Sequence, residues 1–174
     1  QSLTAGCSAA GWSGDLSGST NPTAIIMNAD KNVTATFTQT GGSGQVAHEE
    51  TKTGGSSSST TVTTSASLTA ATDHFYLAAI STKPNISVTG VTGLGLSWTL
   101  VKAQCAGRSQ TRVEVWKAQG TPSGNGTVTA TLASAPSNAA IAVSRYSGVD
   151  TSNPVGNFTS GNTGGADGAC SGGI

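Results

Sequence analysis

The sequence predicts an all-β chain: an antiparallel, jelly-roll-like β-sandwich of about eight strands, preceded by a β-hairpin. Three observations carry this. No window of eleven residues repeats its apolar positions with a period near 3.6, so no amphipathic helix is indicated. The apolar runs are short and end at Gly, Asn or Pro, the residues that build turns. Where a run is long enough to judge, apolar and polar residues alternate. In 127–132, Val128, Ala130 and Leu132 share one face while Thr127, Thr129 and Thr131 share the other.

The hairpin is expected from segments 23–28 and 32–38, joined by Ala29-Asp30-Lys31. In the second segment Val33, Ala35 and Phe37 alternate with Thr34, Thr36 and Thr38. Two strands alone are marginal in water, so this hairpin needs a surface to lie against. Stretches rich in Gly, Ser and Asn punctuate the chain at 11–22, 40–44 and 54–59. Sandwich strands are then expected at 45–52, 60–67, 74–81, 86–89, 97–103, 110–118, 126–133 and 139–146. Leu96, Trp98 and Leu100 share a face and read as core. In 112–117, Val113 and Val115 are expected to face inward, opposite Arg112, Glu114 and Trp116. The organisation is a hairpin unit at 1–39, a linker at 40–59 that can carry a strand at 45–52, and a sandwich at 60–174.

Composition narrows the function classes. Charged residues are 9% of the chain and the formal net charge is zero. No basic patch of the kind that binds a nucleic-acid backbone is present; Lys102, Arg108, Arg112 and Lys117 are interrupted by Glu114. Ser and Thr together approach a third of the residues and Gly adds 24 more. A surface of hydroxyls in place of Lys and Glu suits a secreted β protein. No apolar run approaches the roughly 20 residues that span a bilayer. The chain opens on Gln1, without a charged, apolar leader, and reads as a processed product or a piece of a longer protein. Three cysteines form no metal-type spacing. Either Cys105 pairs with Cys170 and leaves Cys7 free, or all three are thiols; the bridge would be worth about 4 kcal/mol in the chain-entropy model.

Two resemblances sharpen this. Gly11-Trp12-Ser13-Gly14-Asp15 through Asn21-Pro22, then Met27-Asn28-Ala29-Asp30-Lys31 and Val33-Thr34-Ala35-Thr36-Phe37, resemble the second half of a divergent internalin-type B repeat across about residues 9–38. That family is a small β-grasp-like module of secreted and cell-surface bacterial proteins. Only 1–10 stand where its first strands belong, so the repeat is expected to be incomplete. Gly95-Leu96-Ser97-Trp98-Thr99-Leu100-Val101, Val113-Glu114-Val115-Trp116-Lys117-Ala118 and Tyr146-Ser147-Gly148-Val149-Asp150 resemble a poorly characterised secreted bacterial β-sandwich module over about 56–160. Similar sequences continue beyond its last segment, so the sandwich is expected to lack closing strands. The resemblances imply a secreted or cell-surface location and no catalytic signature.

Few residues can carry chemistry. There is no Gly-x-Ser-x-Gly elbow, phosphate loop or His-Glu-x-x-His, and no residue is assigned a catalytic role. His48 and Glu50 lie two apart on an extended strand and share a face, and His74 begins another strand. If those strands meet, His48, Glu50 and His74 make a set suited to zinc, with an open position for a water that hydrolyses an ester. The alternative is polar strand-edge residues that discourage pairing with other chains. An exposed Trp116 beside Tyr146 would make a sugar-stacking platform for polysaccharide or another cell-surface ligand; packing against a second sheet is the other reading. Asp150, Asn153, Asn157, Asn162 and Asp167 offer oxygen ligands of the kind calcium takes, or turn formation in a Gly-rich tail. The function read from these features is a non-catalytic binding, adhesion or spacer module with no cofactor. A zinc-dependent hydrolase is the enzymatic alternative. The third is a homo-oligomeric subunit that completes its sheet through an open edge.

Overall fold

Thr-rich alternation and Gly/Asn punctuation give antiparallel strands throughout. The computed structural model describes residues 7–20, 22–39 and 45–170. Among these there is no helix, and every strand pairing is antiparallel. No helix of the described residues is long and apolar enough to cross a membrane. The flexible stretch expected at 40–44 lies outside the described residues, as do the side chain of Cys7 and residues 171–174.

The chain divides into two units, Gln1–Ser43 and Gly44–Ile174. In the first, β1 (Cys7–Gly14) pairs with β2 (Val33–Gln39), with a bulge between Ala9 and Gly11. Segment 23–28, expected as the partner of β2, is not a strand. The local chemistry explains why. Asp15 N–H donates to Asn32 O at 2.8 Å, and the Asp15 carboxylate accepts Asn32 N–H at 2.8 Å. Trp12 N–H donates to Gly18 O at 2.8 Å, and its indole N–H to Thr20 O at 3.1 Å. These contacts fold the Gly-Trp strand onto the start of β2 and leave 23–27 as the connection. Gly14 permits the approach: its φ is +94°, and a Cβ there would stand 2.3 Å from Asn32 O.

The second unit contains β3 (Ala47–Ser56), β4 (Thr61–Thr63), β5 (His74–Lys83), β6 (Val88–Gly93), β7 (Thr99–Cys105), β8 (Arg112–Gly120), β9 (Val128–Leu132), β10 (Asn138–Ser147), β11 (Gly161–Asn162) and β12 (Gly165–Ala166). One sheet has the order β3-β10-β5-β8-β7, a second has β4-β9-β6, and β11 and β12 form a two-stranded ribbon. Each of the eight segments expected from the sequence overlaps a strand. The strand expected at 45–52 runs on into the Gly/Ser-rich stretch at 54–59, because Ala139–Tyr146 on β10 offers it a full ladder as far as Ser56.

Both larger sheets feed one buried cluster. β5 contributes Tyr76, Ala78 and Ile80, β9 contributes Val128, Ala130 and Leu132, and β10 contributes Ala139, Ile141 and Val143. Trp98 packs against this cluster, whereas Leu100, of the same parity in sequence, is 47% exposed. A bulge between Leu100 and Lys102 turns that part of β7.

Strand β8 reverses the facing expected of it. Val113 is 46% exposed, whereas Glu114 is 2% exposed, and Trp116 packs on the core. A carboxylate can be buried only if its charge and lone pairs are met. Glu114 Oε1 accepts Arg112 Nε–H at 2.5 Å and Val88 N–H at 3.1 Å, and Oε2 accepts the Trp116 indole N–H at 3.0 Å. The valines of β8 therefore point away from the core, onto the sheet's other face.

Candidate functional site

Strand β10 separates β3 from β5, so the two histidines do not meet across adjacent strands. Tyr146 is flanked by His48 on one side and Phe75 on the other. A bulge between Arg145 and Tyr146 lets β3 spend two residues, Glu49 and Glu50, against Arg145. Both carboxylates consequently reach one guanidinium. Arg145 Nε–H donates to Glu49 Oε2 at 2.8 Å, and Nη1 lies 3.0 Å from Glu50 Oε1. Nη1 also donates to Thr69 O, while Glu50 Oε1 accepts Thr69 N–H at 2.8 Å. Strand β3 is thereby tied to the loop that precedes β5.

His74 joins this network through Glu49, not Glu50, with Nε2 3.2 Å from Glu49 Oε1. Its Nδ1 lies 2.7 Å from Thr72 O, which places a proton on that nitrogen. Desolvation works to raise the Glu49 carboxyl, but hydrogen bonds from Ser147, His74 and Arg145 outweigh it and hold the group below the usual carboxylate range. His48 turns elsewhere. Its Nε2 is 2.8 Å from Thr51 Oγ1, and its ring meets Tyr146 edge-on at 5.5 Å. The expected zinc set of His48, Glu50 and His74 is thus not assembled, and no group of three or more His, Cys, Asp or Glu suited to a metal occurs among the described residues. The intervening strand and the bulge are the physical reasons.

The sugar platform is not assembled either. Trp116 faces the core and donates its indole N–H to Glu114, whereas Tyr146 belongs to the row that meets His48 and shares the parity of Ala140, Ala142 and Ser144. Alternation puts the two aromatics on opposite faces of the sheet.

What the sheet's outer face does carry is apolar. Leu77, Ala79, Val113 and Val115 lie there, with Phe75 at one end. The segment 150–170 crosses this face. Gln119 Nε2–H donates to Thr151 O at 3.0 Å where the crossing begins. Beyond it, Ser160 Oγ lies 2.7 Å from both Gln104 Oε1 and Asp167 Oδ1. Between these anchors Pro154, Val155 and Phe158 stand over Phe75, Leu77, Val101 and Val115, and together they line an open hollow of about 440 Å³. Phe158 remains 52% exposed.

The polar tail is spent on holding this crossing. Asn162 Nδ2–H₂ donates to Cys105 O at 2.9 Å and Gly168 O at 2.8 Å, and its Oδ1 accepts Gly164 N–H at 2.7 Å. Asp150 Oδ1 accepts Ser152 N–H at 2.9 Å. Asp167 pairs with Lys102 at 2.6 Å; hydrogen bonds from Lys102 and Ser160, then the Lys102 charge, hold its carboxyl below the usual range. These Asn and Asp oxygens build turns and tethers and do not converge as a calcium loop would. A disulfide joins Cys105 to Cys170 with their α-carbons 5.4 Å apart, across a sequence separation of 65 residues.

The sequence held a signal for this face: 75–80 is apolar at both parities, as in a strand covered on both sides. The pairing of Glu49 and Glu50 with Arg145 had none, since the residues are 96 and 95 positions apart. No family model, no curated protein and no solved structure matches this chain.

Proposed function

We propose that this chain is a non-catalytic binding module of a secreted or surface-anchored bacterial protein, its second unit a β-sandwich whose five-stranded sheet uses the outer face for binding. The observation that carries the reading is the disulfide-held crossing of 150–170 over an apolar sheet face, with an open hollow beneath it. A disulfide that closes a long loop suits an oxidising, extracytoplasmic setting. The titratable groups nearest the two histidines support it in a different way. Glu49, Glu50 and Arg145 are committed to one another and to the chain, which makes them tethers and not a poised acid, base or metal cage.

The test sets this against the zinc hydrolase. Zinc content and hydrolysis of p-nitrophenyl esters are measured for the full chain and for the double variant His48→Ala, His74→Ala. The proposal predicts no stoichiometric zinc and no turnover above buffer in either. Zinc-dependent turnover that disappears in the double variant would overturn it.

A further inference from the structure

The hollow beneath the crossing segment has the make-up of a small-ligand site. We propose that it binds a small amphiphile, an apolar chain or ring with a single anionic head; this deepens the binding reading above and rests on it.

Its volume of about 440 Å³ falls in the range of small-molecule pockets, which run from roughly 300 to 1,000 Å³ and are walled mainly by apolar and aromatic groups. Phe75, Leu77 and Val115 form the floor, and Pro154, Val155 and Phe158 form the roof. Such a wall recognises hydrocarbon by excluding water and offers it nothing to hydrogen-bond. The roof is held at both ends, by Gln119 on Thr151 and by Ser160 on Gln104, so an entering ligand orders little chain. A space left open beneath a tethered roof differs from a face the tail simply seals.

The sign of the head follows from the charges on the same face. No carboxylate is among the described residues lining the hollow, while Lys102 is. Lys102 is engaged by Asp167 at 2.6 Å. A second lysine, Lys117, lies on the outer face two residues beyond Val115 and directly opposite Leu77. Among the described residues it forms no ion pair. An anionic head beside Lys117, with its apolar body under Phe158, satisfies both features. A cationic head would be repelled by that lysine, and a neutral one would leave it uncompensated.

The probe is sodium dodecanoate below its micellar concentration, titrated calorimetrically into the oxidised full chain, with dodecanol as the neutral counterpart. The expected result is saturable one-to-one binding of dodecanoate. Val115→Phe fills the floor without touching the core and is expected to weaken both probes at least tenfold. Lys117→Glu is expected to weaken dodecanoate at least fivefold and leave dodecanol unchanged. Phe158→Ala removes part of the roof and serves as the second variant should Val115→Phe unfold. Absence of saturable binding, equal loss of both probes in Lys117→Glu, or binding indifferent to Val115→Phe and Phe158→Ala would each overturn the proposal. So would a dimer, detected by sedimentation, that buries this face and excludes the probe. Failure here leaves the non-catalytic reading intact, because that reading fails only on zinc-dependent turnover.

Discussion

Replacing Glu114 by Ala tests whether the buried carboxylate is what turns β8 over. The side chain is 2% exposed and meets three donors: Arg112 Nε at 2.5 Å, Trp116 Nε1 at 3.0 Å and Val88 N at 3.1 Å. Truncation strands all three. A buried donor left without a partner costs about 1–3 kcal/mol. Val88 is buried and Trp116 is half-buried, so those two alone amount to about 2–6 kcal/mol. Arg112 keeps 22% side-chain exposure and can recover part of its loss from water. Breaking a buried ion pair by removing one partner gives about 3–5 kcal/mol by a separate route. The two routes agree on a loss of about 3–5 kcal/mol.

Urea unfolding followed by tryptophan fluorescence measures it, since Trp116 and Trp98 both pack on the core. Glu114→Gln sharpens the assay. It keeps the shape and one acceptor oxygen, but its amide nitrogen must face one of the donors, which predicts an intermediate loss of about 1–3 kcal/mol. A Glu114→Ala protein within about 1 kcal/mol of the parent would refute the reasoning, because it would show that Arg112, Val88 and Trp116 find equivalent partners elsewhere. A double-mutant cycle with Arg112→Ala then separates the ion pair from the two neutral donors.

Two further outcomes are expected. A Cβ at Gly54 would fall 1.8 Å from Thr63 O, whereas one at Gly55 would sit 3.6 Å from its nearest neighbour, Ala139 O. Gly54→Ala should therefore drive β3 from β4 and cost at least about 1–3 kcal/mol as overpacking, while Gly55→Ala should change thermal stability by less than about 0.5 kcal/mol; equal effects would count against this packing. Glu49 and Asp167 both titrate below their ordinary values of 4.5 and 3.8. The unfolded chain then binds more protons in that window, so stability is held above those values and lost as pH falls through the lower folded ones. Acid unfolding of the double variant Glu49→Gln, Asp167→Asn should show a shallower slope below pH 4.5; an unchanged slope would mean that other carboxylates govern it.

The strands were legible where the local pattern also decides the structure. In β9 the alternation of Val128, Ala130 and Leu132 with Thr gives the facing directly, with all three at most 3% exposed. The facing of β8 is opposite to the one its hydropathy implies, because hydropathy alone cannot show that a Glu has three donors waiting for it. The partner of β2 differs from the expected one for a related reason. Segment 23–28 has strand-like residues, but the hydrogen bonds of Asp15 with Asn32 bring Gly14 against Val33. The sites were the least legible part. His48, Glu50 and His74 follow from chemistry and strand parity, and parity holds only along an unbroken strand. One bulged residue exchanged Glu50 for Glu49 at His74, and one intervening strand kept His48 apart.

The inversion of β8 and the crossing of 150–170 belong to one arrangement. Turning Glu114 and Trp116 inward obliges Val113 and Val115 to face out, beside Leu77 and Ala79 of β5. A central strand pair with apolar residues on that face loses burial worth roughly 25 cal/mol per Å² unless something covers it. The tail supplies the cover with few large apolar residues, Pro154, Val155 and Phe158, and otherwise consists of small or polar residues, mostly Gly, Ser, Thr and Asn, that hold little position by burial. It is held instead by hydrogen bonds from Gln104 to Gly168 O, from Gln119 to Thr151 O and from Asn162 to Cys105 O, and by the bond from Cys105 to Cys170. Cover of that kind is anchored at its ends and thin in its middle. A hollow over Phe75 and Leu77 is the result, and its existence traces back to the donors that allow one glutamate to be buried.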